Sequence, residues 1–319
     1  MRVLGAIWPG GADMVSRFGF AAAAALLLTL TVHVGGGEVI GTTSSDGAIA
    51  RYQGVPYAAA PVAGLRWRPP QPVAPWQGVL ETTHFAPACP QPLPLPGSFY
   101  QTEFFLTSER QSEDCLYLNV YTPAHANTDR LPVMAWFHGG GFAQGSGSLP
   151  SFDGDTLARN GVVLVTINYS LGPLGFLALP ELDAESPDHV SGNYGLLDMA
   201  AALRWVQANI AGFGGDARNV TIFGQSAGAL GVGAMMASPL ARGLFRRAIV
   251  ESDPMFGMND PTQTLSQSEH GGAKFADALH GAHGRGAAHD PQHGACAGDG
   301  NQRDRFRIAA KCRWPHAAA

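Results

Sequence analysis

Charge is scarce in this 319-residue chain: 14% of the residues are Asp, Glu, Lys or Arg, and the formal net charge is -5. No basic block stands out, which argues against a nucleic-acid partner. Internal repeats at a fixed period are lacking, which excludes solenoids and propellers. Cysteine is sparse, with four in all, Cys89 and Cys115 in the apolar body of the sequence and Cys296 and Cys312 in a tail of different composition. After the run His138-Gly139-Gly140-Gly141-Phe142 there is no Lys-Ser/Thr pair and no helical pattern, so the run does not read as a phosphate loop.

What is present is apolar: 45% hydrophobic residues, enough to bury one sizeable core, most simply as a single large α/β domain. Near the N-terminus Arg17 precedes an uncharged run over residues 18–34 that ends at Gly35-Gly36-Gly37, with Met14 a workable start. A basic flank, an apolar stretch and small residues after it have the form of a secretory signal, so residues 1–36 are expected to be a signal peptide or, if uncleaved, an N-terminal anchor. Export would place the protein outside the cell or in the periplasm. There Cys89 and Cys115 could close a proline-rich loop as a disulfide; the alternative is two unpaired buried thiols.

Residues 37–79 read as short antiparallel strands followed by an extended proline-rich stretch with Pro61, Pro69, Pro70, Pro72 and Pro75. Strands are expected at 115–121, 132–137, 162–168, 220–223 and 247–251. Helices are expected at 196–210, where Leu196, Met199, Ala200, Leu203 and Val206 share a face, and at 227–236. Strands alternating with helices imply a mostly parallel sheet with helices on both faces.

Gly224-Gln225-Ser226-Ala227-Gly228 lies between the 220–223 strand and the 227–236 helix. A serine on a sharp strand-to-helix turn needs neighbours without bulk two positions away on either side, and glycine stands at both. In a chain with 41 glycines the pattern alone also fits an ordinary corner. The earlier His-Gly-Gly-Gly run, which can bring backbone N–H groups close to a substrate oxygen, favours the nucleophile elbow with an oxyanion hole shared between two loops.

Four stretches together resemble the type-B carboxylesterase family, relatives of the cholinesterases. They are Gly54-Val55-Pro56-Tyr57-Ala58 with Arg66-Trp67-Arg68-Pro69-Pro70, Glu113-Asp114-Cys115-Leu116-Tyr117-Leu118-Asn119-Val120, the His138 to Phe142 run, and residues 213–228. The resemblance implies an α/β-hydrolase fold over residues 37–256, Ser226 as acyl nucleophile, and Gly140, Gly141 and Ala227 as oxyanion donors. It also implies a Cys89–Cys115 disulfide and a small-molecule ester as substrate, with no cofactor, no metal and no membrane contact beyond an N-terminal anchor. Two departures argue against choline esters: no Trp stands between Cys89 and Cys115, and Gln225 occupies the place of the glutamate before the serine.

The family's triad acid and histidine have no identifiable counterpart in this chain. Residues 257–319 read as a low-complexity, unstructured or out-of-frame tail, so His270, His280, His283, His289, His293 and His316 receive no role. The expected activity is ester hydrolysis that is weak or lost. A non-catalytic binding module of the same fold, or another serine hydrolase such as a thioesterase or peptidase, are the alternatives.

Overall fold

The computed structural model describes residues 30–103, 110–252 and 264–284. Its strands are β1 (Thr31–Val34), β2 (Gly37–Ile40), β3 (Thr42–Thr43), β4 (Ala50–Pro56), β5 (Val79–Glu81), β6 (Tyr117–Thr122), β7 (Leu131–Phe137), β8 (Val163–Ile167), β9 (Gly215–Gln225) and β10 (Arg247–Glu251). Its helices are α1 (Phe99–Thr102), α2 (Asp155–Ala158), α3 (Gly172–Phe176), α4 (Pro180–Glu185), α5 (Tyr194–Asn209), α6 (Ala227–Ala237) and α7 (Leu265–Gly284).

Among the described residues seven strands form the main sheet in the order β10-β9-β7-β8-β6-β4-β3, and β1-β2-β5 form a small second sheet. The main sheet is mixed. β10, β9, β7 and β8 run parallel, and β6, β4 and β3 continue it antiparallel. The parallel character expected from the alternation of elements therefore holds for the half that carries the glycine motifs.

Alternate residues of the central strands supply two apolar layers. On one face Val133, Ala135 and Phe137 of β7 join Val220 and Ile222 of β9 against Met199, Leu203 and Val206 of α5 and Val232 and Met235 of α6. On the other, the Trp136 ring packs at a tilt on Phe152, with centroids 5.0 Å apart, and on Phe223, with centroids 4.8 Å apart, beside a smaller cluster of Ile49, Tyr121, Ala158 and Leu164. Both faces of the sheet are thus covered here, which is why β7 and β8 read as nearly unbroken apolar runs, whereas β9 is apolar only near its C-terminal end, at Val220, Ile222 and Phe223.

Two boundaries differ from those read in the sequence. Residues 31–34, expected within the signal or anchor, are β1, paired antiparallel with β2 from Thr31 opposite Ile40 to Val34 opposite Gly37. Val32 and Val34 are buried while His33 between them is exposed, a two-residue period hidden inside a longer apolar run. The glycines after it make the hairpin turn: a Cβ on Gly36 would lie 2.0 Å from the Trp76 ring, and the Gly35 N–H donates to Asn209 Oδ1 at 2.8 Å. The rest of the expected signal, residues 1–29, lies outside the described residues. Among the described residues no helix is long and apolar enough to cross a membrane.

Within the tail expected to be unstructured, residues 265–284 form α7. Thr264 and Gln267 make a reciprocal cap, Thr264 N–H to Gln267 Oε1 at 2.9 Å and Gln267 N–H to Thr264 Oγ1 at 3.3 Å. Ser268, Glu269, Gly272, Phe275 and Ala276 form its more buried face, and a Cβ on Gly272 would meet the Ala178 carbonyl at 1.9 Å. A cap and one packed stripe are enough to order a helix whose average composition reads as low complexity. Residues 285–319 lie outside the described part.

Candidate active site

β9 ends at Gln225 and α6 begins at Ala227, so the whole change of direction falls on Ser226. Its backbone sits at φ 53°, ψ -124°, outside both the helical and the extended regions and costly for a residue with a side chain. The Ser226 N–H donates to the Glu251 carbonyl at 2.9 Å, continuing the β9–β10 ladder, and the Ser226 carbonyl accepts from the Leu230 N–H at 3.0 Å, starting the helix. The strain is held by bonds on both sides while the residue stays half-exposed.

The two flanking glycines are required by contact. A Cβ on Gly224 would lie 2.6 Å from the backbone of Gly228 and 2.8 Å from the Phe137 carbonyl oxygen. A Cβ on Gly228 would lie 2.0 Å from that same oxygen. Both values are far inside van der Waals contact, so strand β7 and the first turn of α6 approach as closely as they do only because position 224 and position 228 lack side chains.

β7 pairs with β9 in a register that sets Phe137 opposite Gly224. Because the strands are parallel, the loop leaving β7 at His138 emerges at the same end of the sheet as Ser226. A Cβ on Gly139 would lie 2.6 Å from Gln225 Oε1, 2.8 Å from the Gln225 carbonyl and 3.4 Å from Ser226 Cβ. Gly140 and Gly141 adopt φ 108° and φ 65°, values that favour glycine. The Gly140 carbonyl accepts from the N–H groups of Ala143 and Gln144, both at 3.1 Å, whereas the N–H groups of Gly140 and Gly141 donate to no backbone carbonyl among the described residues. The Ala227 N–H is in the first turn of α6 and has no intrahelical acceptor. Gly139, the neighbour of Gly140 and Gly141 in the loop, is thus set against Gln225 and Ser226, and Ala227 follows Ser226 as the first residue of α6.

Behind the glycine loop lies a buried polar frame that sequence reasoning did not find. The His138 ring stacks on Tyr169 with centroids 4.3 Å apart and planes 16° apart, and the Tyr169 hydroxyl donates to the His138 carbonyl at 2.6 Å. His138 Nδ1 is 2.8 Å from the Gly139 carbonyl, which can only accept, so Nδ1 carries the proton. Burial lowers the His138 pKa to about 4. Next along the chain the Ser170 N–H donates to Asp198 Oδ2 of α5 at 3.0 Å, and burial pushes the Asp198 carboxyl up to about 6 against the pull of that bond. A lone Asp inside the apolar stripe of the 196–210 helix was the available signal.

The other motif stretches are tied together by polar contacts, some of which reach the segment after the glycine loop. The Gln91 side-chain amide brackets Gly145, accepting from its N–H at 2.7 Å and donating to its carbonyl at 2.8 Å, and also donates to the Cys89 carbonyl at 3.0 Å. The sulfurs of Cys89 and Cys115 lie 2.00 Å apart. Arg66 and Glu113 form a two-pronged ion pair at 2.7 and 2.8 Å, tying two motif stretches 47 residues apart. Asn119 accepts from the Gly54 N–H at 3.0 Å and donates to Thr166 Oγ1 at 2.9 Å. Phe142 packs on Phe176 at 4.7 Å, and its carbonyl accepts from the Gly172 N–H at 2.7 Å.

No hydrogen bond joins a histidine to Ser226 among the described residues; the rings that do bond are His84, to Thr83, and His138, to Gly139. His270, His280 and His283 lie on α7, and His289, His293 and His316 fall outside the described residues. Among the described residues no group of His, Cys, Asp and Glu could hold a metal ion.

Residues 28–280 match the model of the carboxylesterase family, a span that takes in β1 and most of α7. The chain is 48% identical over 249 residues to a fumonisin B1 esterase of Sphingopyxis macrogoltabida, covering 77% of this chain and 43% of that protein. It is 45% identical over 244 residues to a para-nitrobenzyl esterase of Bacillus subtilis, covering 76% and 46%. Among solved structures it resembles a PNB esterase with a TM-score of 0.70 at 37% identity, covering 88% of this chain and 53% of the other. A carboxylesterase of Geobacillus stearothermophilus gives 0.69 at 37% identity, with the same two coverages. The chain spans about half the length of the relatives it matches.

Proposed function

The chain belongs to the carboxylesterase family and has an α/β-hydrolase fold, and on that premise we propose that it acts on small-molecule carboxylic esters through an acyl-serine at Ser226. The observation that carries this reading is the backbone of Ser226, held at φ 53°, ψ -124° with Gly139 of the glycine loop beside it. A binding module has no need of a serine held in that conformation beside free backbone donors.

In the reaction the Ser226 oxygen attacks the ester carbonyl carbon and gives its proton to a base. The carbonyl oxygen becomes an oxyanion that accepts from the N–H groups of Gly140, Gly141 and Ala227, aided by the positive end of α6. Collapse releases the alcohol with a proton and leaves the acyl group on Ser226; water then attacks the acyl carbon and frees the acid. No residue of this chain is assigned as the base, so turnover is expected to be low. Loss of the base costs about 10⁶ in kcat in a comparable hydrolase, with about 10³ to 10⁴ over water left from the oxyanion hole and binding. Neither a cofactor nor a metal enters these steps. Export to an oxidising compartment and a Cys89–Cys115 disulfide belong to the same reading, supported by the contact of the two sulfurs.

The test is labelling of the 319-residue protein by a fluorophosphonate, with p-nitrophenyl acetate hydrolysis beside it. We expect slow, stoichiometric labelling that disappears in Ser226→Ala, with turnover close to background. Labelling that survives Ser226→Ala would move the nucleophile elsewhere, and no labelling at all would favour a non-catalytic binding role.

A further inference from the structure

The peptide that joins Gly139 to Gly140 has glycine on both sides, and that is a weakness as well as a convenience. Glycine occupies positive and negative φ with similar ease, so a Gly-Gly peptide plane can turn over at small conformational cost. A trans peptide holds its C=O and N–H in opposite directions. If the Gly139 carbonyl swung toward Ser226, the Gly140 N–H would swing away and an acceptor would stand where the proposed oxyanion needs a donor. Something must hold that plane, and Gly139 and Gly140 have no side chains with which to do so.

We infer that His138 is a positioning residue: its Nδ1–H, by fixing the Gly139 carbonyl, fixes the Gly139–Gly140 peptide and keeps the Gly140 N–H turned to Ser226. This rests on Ser226 being the nucleophile. The bond is 2.8 Å long and fully buried. The ring that makes it is itself immobilised, stacked on Tyr169, with the Tyr169 hydroxyl bonded to the His138 carbonyl at the start of the same loop. Gly145 closes the other side, where a Cβ would lie 2.4 Å from Nδ1, and Gln91 brackets Gly145 through both its backbone groups.

The other ring nitrogen supports this. His138 Nε2 is buried with no partner among the described residues. A histidine kept only to fill space is easily replaced by an apolar ring, without an orphaned nitrogen that costs about 1–3 kcal/mol. A histidine kept for the donor at Nδ1 has to tolerate it. Neutrality fits as well, because burial holds the ring uncharged above about pH 4, so the bond does not require a cation in the core.

Two substitutions separate donor from shape. His138→Phe keeps a ring on Tyr169 and removes the donor; His138→Asn loses the ring but sets a side-chain N–H near the place of Nδ1. The readout is the second-order rate of Ser226 phosphonylation by a fluorophosphonate, whose P–O group uses the same donors, with thermal melts to show that each variant is folded. We expect His138→Phe to react roughly 10- to 100-fold more slowly and His138→Asn to stay within roughly threefold of the parent. A folded His138→Phe that reacts at the parent rate, or equal losses in both variants, would overturn the inference. Nitrogen-15 NMR of the parent ring gives a check that does not involve Ser226: the proton belongs on Nδ1 at neutral pH, and a proton on Nε2 would overturn the inference even if Ser226 reacts. An unreactive parent with the proton on Nδ1 would instead remove the reading of Ser226 as nucleophile, and with it the purpose assigned to the bond.

Discussion

Asp198 and His138 should cancel each other in the pH dependence of stability, and removing one should expose the other. Burial raises the Asp198 carboxyl from 3.8 to about 6, so folding takes up a proton between those values. Its contribution is intact below 3.8 and is lost as pH rises through about 6. Burial lowers His138 from 6.5 to about 4, so folding releases a proton there. That contribution is intact above 6.5 and is lost as pH falls through about 4. Each shift is a little over two pKa units, or about 3 kcal/mol at full development, with opposite slopes over nearly the same window. Asp198→Asn keeps an oxygen for the Ser170 N–H and cannot ionise. At about pH 4 the buried acid is protonated and the variant should match the parent. By about pH 8 the variant should be the more stable by about 3 kcal/mol. Urea melts of both proteins at unit pH steps give this difference with every other titrating group cancelled. A difference that stays constant within about 0.5 kcal/mol over that range would show that Asp198 ionises near its ordinary value and that the desolvation argument is wrong.

Gly228→Ala places a Cβ 2.0 Å from the Phe137 carbonyl oxygen, so α6 or β7 has to shift by about 1 Å; fluorophosphonate labelling of Ser226 should fall by roughly 10²-fold, and labelling at the parent rate would contradict the close-approach account of the elbow. Glu113→Gln leaves the partly buried Arg66 fork facing a neutral amide and should cost about 1–2 kcal/mol in a urea melt, with a far smaller effect for exposed Glu185→Gln opposite Arg68. β10 is the outermost strand of the main sheet among the described residues, and Ile249 and Val250 are each more than 40% exposed on opposite faces. Val250→Lys should therefore reduce concentration-dependent self-association in sedimentation, and an unchanged profile would acquit this edge.

The parallel half of the sheet could be read from the sequence because each of its elements carries a local signal. β7 and β8 are apolar on both faces, β9 carries Val220, Ile222 and Phe223 ahead of its glycine, and α5 has its stripe of Leu196, Met199, Leu203 and Val206. The elbow was readable for the same reason, since its two glycines are required by contacts within a few residues and with one neighbouring strand. Where signals overlapped, reading failed. The Thr-Val-His-Val alternation of β1 was absorbed into the apolar run that precedes it, and the Thr264/Gln267 cap of α7 was averaged away in a tail rich in Gly, Ala and His. Antiparallel pairing of β6 with β8 leaves no local mark, because a strand's direction in a sheet is decided by the connection and not by its residues. The frame of His138, Tyr169 and Asp198 depends on contacts 28 to 31 residues apart, which no short motif encodes.

Parallel pairing of β7 with β9 is what turns two separate motifs into one site. Neighbouring strands lie about 4.8 Å apart, so loops leaving adjacent parallel strands at matched positions are neighbours before either loop has any structure of its own. Phe137 opposite Gly224 is that matched position, and it also supplies the carbonyl that both elbow glycines approach. A slip of one residue would set Phe137 opposite Phe223 or Gln225 and turn the inward residues of one strand outward, burying Thr221 and Phe223 where Val220 and Ile222 now pack on α5 and α6. Core packing therefore fixes the register, the register fixes the distance between the loops, and the loops need only glycine to close it. A charge introduced at Ile222 should for this reason lower Ser226 labelling together with stability, although Ile222 touches neither loop motif in sequence. Labelling that persists in a folded Ile222→Glu protein would mean that the loops find each other without the register of β7 and β9.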